Sequence, residues 1–194
     1  MAFNLTINQP LRSVLWPSEN KIIKEAGLIF LGIIFLAMAS QLVIPFKPVP
    51  LTFQSAAVIF IGMIYGSRLA SLSVMSYLIA GGLGLPFFAD LSSGFGVFVG
   101  ATGGYLLGFI PAAWLAGFLA EQGFARKIHM AFLSSCFSVS FIFGLGLLVL
   151  AQFVGWSHAF SLGLLPFIVT ESLKLFAISL VIPHCWKKSV KNGI

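Results

Sequence analysis

Long apolar stretches, separated by short polar or glycine/proline-rich breaks, run through most of this chain. A helix needs about 20 apolar residues to cross the hydrocarbon core of a bilayer. On that length scale the pattern predicts six helices, over 24–44, 51–66, 68–83, 102–121, 128–152 and 161–184. The second and third are short and meet at a tight turn, Gly66-Ser67-Arg68. Residues 1–23 carry Pro10, Pro17 and several polar groups and read as a lead segment; 24–186 form the helical domain, and 187–194 a basic tail. Lys21, Lys24, the run from Ala26 to Leu36 and Ala37-Met38-Ala39 imitate a cleaved signal. The apolar run continues through Ile44, however, so an uncleaved first helix is expected.

Composition agrees with this class. Of 194 residues, 59% are hydrophobic and only 8% charged, against roughly 45–50% and 25% in soluble domains. The fold class expected is therefore an all-α membrane protein. The net charge of +6 does not imply nucleic acid, because the basic residues lie near span ends. With the N-terminus inside, Arg12, Lys21, Lys24, Arg68, Arg126, Lys127, Lys187, Lys188 and Lys191 fall on inner segments, and only Lys47 on an outer one. Cytoplasmic loops carry such a bias, which puts both termini on the cytoplasmic side of the cell membrane. Glu121, Arg126 and Lys127 read as a solvated inner loop. Cys136 and Cys185, far apart in sequence, read as packing residues.

Two outer segments stand out. Pro45, Pro48 and Pro50 crowd six residues, which excludes a helix and favours a stiff extended path. Between Gly81 and Gly108 lie nine of the chain's 20 glycines, with Phe87, Phe88, Phe95 and Phe98. An irregular apolar segment at membrane depth is tolerated when buried in protein or lining a cavity. Together these segments read as a folded-in lid and wall. Gly104, Gly108, Ala112, Ala116 and Ala120 form a small-residue ladder of the kind that lets helix backbones approach. A tight contact within the chain and an intermolecular docking face both fit it.

The remaining charges carry the chemistry. Glu171 and Lys174 lie three apart inside the last apolar stretch, on one helix face. An ionisable group at bilayer depth costs at least ~2.5–3.5 kcal/mol and usually marks a site or pathway. The pair is either an internal salt bridge or a polar anchor for a solute, with Thr170 nearby. Thr52 and Gln54 open the second span as helix caps or site residues. Asp90, the sole aspartate, is a solvated loop residue or faces a pocket. Thr102, Tyr105 and Trp114 are interfacial groups or walls for a flat ring. His129, His158 and His184 are too dispersed for a metal site. Nucleophile-elbow, zinc-protease and phosphate-loop motifs are missing, so catalysis is not expected, and neither is self-powered transport.

Three segments carry a resemblance: Pro48-Val49-Pro50-Leu51-Thr52-Phe53-Gln54, Gly84-Leu85-Pro86-Phe87-Phe88-Ala89 and Gly100-Ala101-Thr102-Gly103-Gly104-Tyr105-Leu106-Leu107-Gly108-Phe109. With Pro166-Phe167 and the Glu171/Lys174 pair, the chain over roughly 26–184 resembles the BioY family, the biotin-specific substrate-binding (S) components of energy-coupling factor (ECF) transporters. The resemblance implies a six-helix bundle that takes biotin from the outer side, closed by the loop after the first helix. It also implies partners, a transmembrane coupling protein and two ATPases, although some members occur without a dedicated module. Carried over by position, Lys174 and Glu171 contact the ligand's polar groups, Thr52 and Gln54 lie beneath the lid, and Thr102, Gly103 and Tyr105 help wall the site. No cofactor beyond the transported biotin is expected. The chain departs from the family pattern in three places. Glu171 stands where aspartate is usual, Ala101 replaces a proline, and the first helix lacks an Ala-x-x-x-Ala docking signature, its alanines being Ala26, Ala37 and Ala39. Rival readings are an S component or solitary facilitator for another vitamin, a membrane enzyme, and a structural bundle protein.

Overall fold

The first helix ends where the proline run begins, and that boundary sets one end of the helical bundle. The computed structural model describes residues 21–191, with side chains described for 22–185. Helix α1 spans Lys21–Gln41, and the chain then turns through a two-stranded hairpin, β1 (Val43–Ile44) and β2 (Leu51–Thr52). The strands are antiparallel, Val43 opposite Thr52 and Ile44 opposite Leu51. Prolines at 45, 48 and 50 lack the N–H that a ladder or a helix requires, so they occupy the hairpin tip. The extended path expected there is thus a hairpin. All but the last three residues of the lead 1–23 lie outside the described residues; α1 already begins at Lys21.

Helices α2 (Gln54–Tyr65) and α3 (Ser67–Gly82) meet at Gly66, whose φ of 81° favours glycine. Helix α3 opens on a carboxylate from another element. The Ser67 N–H donates to Glu121 Oε1 at 2.9 Å, and the Ser67 hydroxyl to Oε2 at 3.0 Å. A negative group at a helix start satisfies an orphan donor and complements the dipole. Glu121 is therefore a half-buried cap rather than a solvated loop residue.

The glycine-rich connection folds into a one-turn segment (Ala89–Leu91) and the short α4 (Gly96–Val99). Helices α5 (Gly103–Glu121), α6 (Ile128–Val154), α7 (Trp156–Gly163) and α8 (Leu165–Lys191) complete the bundle. The apolar stretch expected as one helix from Ser161 is broken at Leu164, which has φ −127° and ψ −55°. Pro166 follows immediately; it is tolerated in a first helical turn but would interrupt a continuous helix. The α8 backbone runs to Lys191, into the basic segment that begins at 187.

Among the described residues, four segments are long and apolar enough to cross a membrane: Ile22–Gln41, Gly103–Glu121, Ile128–Val154 and Trp156–Cys185. The other two expected spans are shorter. At 1.5 Å per residue, α2 rises about 18 Å and α3 about 24 Å, below the ~30 Å hydrocarbon core. Both pack against α5, which sits at the centre of the bundle between them and α6. The small-residue ladder lies in these contacts. Ala112, Ala116 and Ala120 are buried, and a Cβ at Gly62 would stand 2.7 Å from that of Ala116. At Gly108 a Cβ would lie 2.8 Å from Ile142 Cα, so the ladder is occupied by neighbours within the chain.

Candidate functional site

Where α5 begins, the hairpin, the glycine-rich loop and the upper parts of α2, α6 and α8 enclose a cavity of about 290 Å³. Its hairpin side is Val49, Pro50 and Thr52; the loop contributes Phe88, Asp90 and Ser92. Opposite stand Tyr105 and Phe109 of α5, Phe143 of α6 and Phe167 of α8, with Gln54, Ser55 and Glu171 as the buried polar groups. The walls are thus mainly apolar and aromatic, with few convergent polar groups, the usual make-up of a small-molecule site.

The aromatic wall is braced. Tyr105 stacks on Phe167 at 6.5 Å and meets Phe143 edge-on at 6.0 Å, and Phe143 and Phe167 meet at 5.6 Å. The Tyr105 hydroxyl donates to Gly163 O at 3.0 Å. That bond fixes the last residue of α7 beside α5 at the break before α8. On the other side, the Gln54 amide donates to the Tyr77 hydroxyl at 2.5 Å, which donates to Phe87 O at 2.8 Å. Gln41, at the end of α1, holds the loop from outside. Its Nε2 donates to Phe88 O at 2.9 Å and its Oε1 accepts from the Leu91 N–H at 3.2 Å. Between those anchors Asp90 and Leu91 both adopt left-handed backbone, φ 56° and 55°. Such residues persist only where the surroundings over-determine them.

Glu171 and Lys174 form an ion pair, with side chains 7% and 9% exposed. The Ser55 hydroxyl lies 2.9 Å from each Glu171 oxygen. The Lys174 ammonium donates to Thr52 O at 2.7 Å, to Ser55 Oγ at 3.0 Å and to Glu171 Oε1, and lies 5.7 Å from the Phe53 ring centroid. Three donors and three acceptors satisfy an ammonium buried beside apolar helices. One network therefore joins α8, α2 and the base of the hairpin.

Of the residues singled out in the sequence, Glu171, Gln54, Thr52, Thr102, Tyr105 and Asp90 line the cavity. Lys174 does not; its ammonium is engaged by Thr52, Ser55 and Glu171. Gly103 lies outside the lining as well, packed on the Phe98 carbonyl, where a Cβ has no room. Pro50 lines the cavity, whereas Pro45 and Pro48 belong to the hairpin tip outside the lining. Thr52 Oγ1 accepts the Gln54 N–H at 3.4 Å, and Thr102 makes no side-chain cap. Trp114 is exposed and stacks on Phe118 at 5.3 Å, away from the cavity. Ser55 and Phe143 were not singled out, and Phe167 only within the Pro166-Phe167 segment of the resemblance, with no role in the site. A signal existed for Ser55, the second of two polar residues opening an apolar helix. None set Phe143 apart among 21 phenylalanines.

A biotin transporter BioY of Thermotoga maritima is 35% identical over 158 residues, covering 81% of this chain and 92% of that protein. A probable biotin transporter BioY of Pyrococcus horikoshii is 38% identical over 151 residues, covering 78% and 89%. The fold matches a crystal structure of the S-component for biotin from an ECF-type ABC transporter with TM-score 0.77 at 21% identity, over 89% of this chain and 95% of that one. The model of the BioY family matches residues 10–191, and on these grounds the chain belongs to the BioY family.

Proposed function

We propose that this protein is the S component of an ECF-type transporter and binds biotin from the outer side for uptake across the cell membrane. The observation that carries the reading is the cavity: aromatic walls around a few polar groups, in a chain of this family. Biotin offers an apolar bicyclic body to Tyr105, Phe143 and Phe167, and a ureido ring whose N–H groups need acceptors. Glu171 supplies a charged acceptor and Gln54 and Thr52 neutral polar groups; Thr102 and Asp90 lie nearer the mouth. Lys174 acts through Glu171 and the Thr52 carbonyl, its donors being engaged there. Gly103 lets the α4 end pack against the start of α5.

The basic residues support placing both termini on the cytoplasmic side. The four long spans then cross the bilayer, and α2 and α3 cross as a short pair shielded by α5. The hairpin with Pro45, Pro48 and Pro50 is the outer lid. Biotin is the cargo, no cofactor is required, and the chain is a transport component rather than an enzyme. ATP hydrolysis belongs to partner subunits joined through a coupling membrane protein.

Purified protein in detergent is expected to bind radiolabelled biotin saturably, with thiamine and riboflavin failing to compete. Saturable binding of either rival instead of biotin would overturn the ligand while leaving the transport class. An absence of binding to all three would sink the reading altogether.

A further inference from the structure

We propose that Ser55 is a positioning residue of this site, holding the Glu171 carboxylate toward the cavity and the Lys174 ammonium away from it. The inference deepens, and rests on, the reading of the cavity as a biotin site.

The chain shows what its helical serines ordinarily do. Ser71, Ser73, Ser135, Ser138, Ser172 and Ser179 each donate to the carbonyl four residues back, at 2.6–2.8 Å. That back-bond satisfies a hydroxyl locally and involves no other element. Ser55 does otherwise. It lies in the first turn of α2, and the residue four back, Leu51, belongs to β2 rather than to the helix. Its hydroxyl crosses to α8 instead, equidistant at 2.9 Å from the two Glu171 oxygens.

A hydroxyl has one proton to donate and lone pairs that accept. Ser55 can donate to Glu171 while accepting from Lys174 at 3.0 Å. Both uses are filled from one point, and this makes the arrangement directional. The ammonium is drawn onto the Thr52 carbonyl at 2.7 Å, behind the cavity lining, while Glu171 and Ser55 themselves line the cavity. Alanine at 55 removes a donor from the carboxylate of a buried residue, which cannot turn to bulk water for a replacement. The carboxylate is then free to rotate fully onto Lys174, presenting less of itself to a ligand N–H. Threonine keeps the hydroxyl.

Affinity for radiolabelled biotin is compared in wild type, Ser55→Ala, Ser55→Thr, Glu171→Gln and the Ser55→Ala/Glu171→Gln double variant. Loss of a hydrogen bond to a buried charge predicts that Ser55→Ala weakens binding by about ten-fold or more, with Ser55→Thr restoring most of it. In the Glu171→Gln background, Ser55→Ala should change affinity by less than about two-fold, because its effect runs through the carboxylate. Wild-type affinity in Ser55→Ala, failure of threonine to rescue, or the full loss repeated in the Glu171→Gln background would overturn the proposal. If wild type binds thiamine or riboflavin instead, the biotin reading falls and the same cycle is judged with that vitamin. Binding of none of the three overturns both.

Discussion

Lys174→Ala is expected to abolish measurable biotin binding and to lower the thermal midpoint of the purified protein strongly. Lys174 and Glu171 are both largely buried, and removing one partner of such a pair leaves the other charge uncompensated. Buried pairs broken in this way lose ~3–5 kcal/mol. At the scaling for chains of 150–250 residues, that corresponds to a fall of roughly 6–20 °C. Replacing both members tests the cause. Lys174→Met/Glu171→Leu removes the two charges together, and apolar replacements of a buried pair are often neutral or stabilising. The double variant should recover most of the midpoint and none of the binding. A single variant that keeps wild-type affinity would mean that the pair staples helices and takes no part in ligand recognition.

The same lysine ties Glu171 to the hairpin. Each strand contributes two residues, and a two-stranded hairpin is marginal by itself. Lys174 holds the hairpin base through Thr52 O, and the Phe53 N–H donates to Leu42 O at 3.2 Å on the far side of the turn. Val49, at the tip, is buried over the cavity. The Glu171 network therefore ends in the hairpin that closes one side of the cavity.

How much of this the sequence announces depends on how rare each signal is. Charges are scarce within the apolar stretches, so Glu171 and Lys174 are conspicuous, and the four-residue spacing of Gly104, Gly108 and the alanines betrays close helix contact. The hairpin leaves no such mark, because two-residue strands are too short for alternation. Hydropathy cannot reveal the break at Leu164, since α7 and α8 are both apolar; Pro166 was the only local warning. Shielding by α5 is a tertiary property that hydropathy does not carry, whereas the turn at Gly66 already marks α2 and α3 as short. Which way Lys174 points was equally out of reach. Its direction depends on the Thr52 carbonyl and Ser55 hydroxyl, more than a hundred residues earlier in the chain.

Gly108→Leu is expected to damage folding and binding together. A Cβ at this position would stand 2.8 Å from Ile142 Cα and 2.9 Å from Phe141 O. Those are backbone atoms of α6, so no side chain can swing aside, and α5 and α6 must separate. Overpacking of this kind typically costs about 1–3 kcal/mol, and more where backbone must move. Ile142 and Phe143, at and beside the contact, both line the cavity, so displacing α6 also shifts the aromatic wall. Affinity for biotin should fall by about ten-fold or more, each factor of ten being a change of ~1.4 kcal/mol. Gly144, two residues along the same helix, provides the control. A Cβ there meets nothing within 4 Å, so Gly144→Leu should retain near wild-type affinity and thermal midpoint. Equal behaviour of the two variants would show that the α5–α6 contact does not govern their effect. Damage confined to Gly108→Leu assigns it to the α5–α6 contact on which the cavity wall rests.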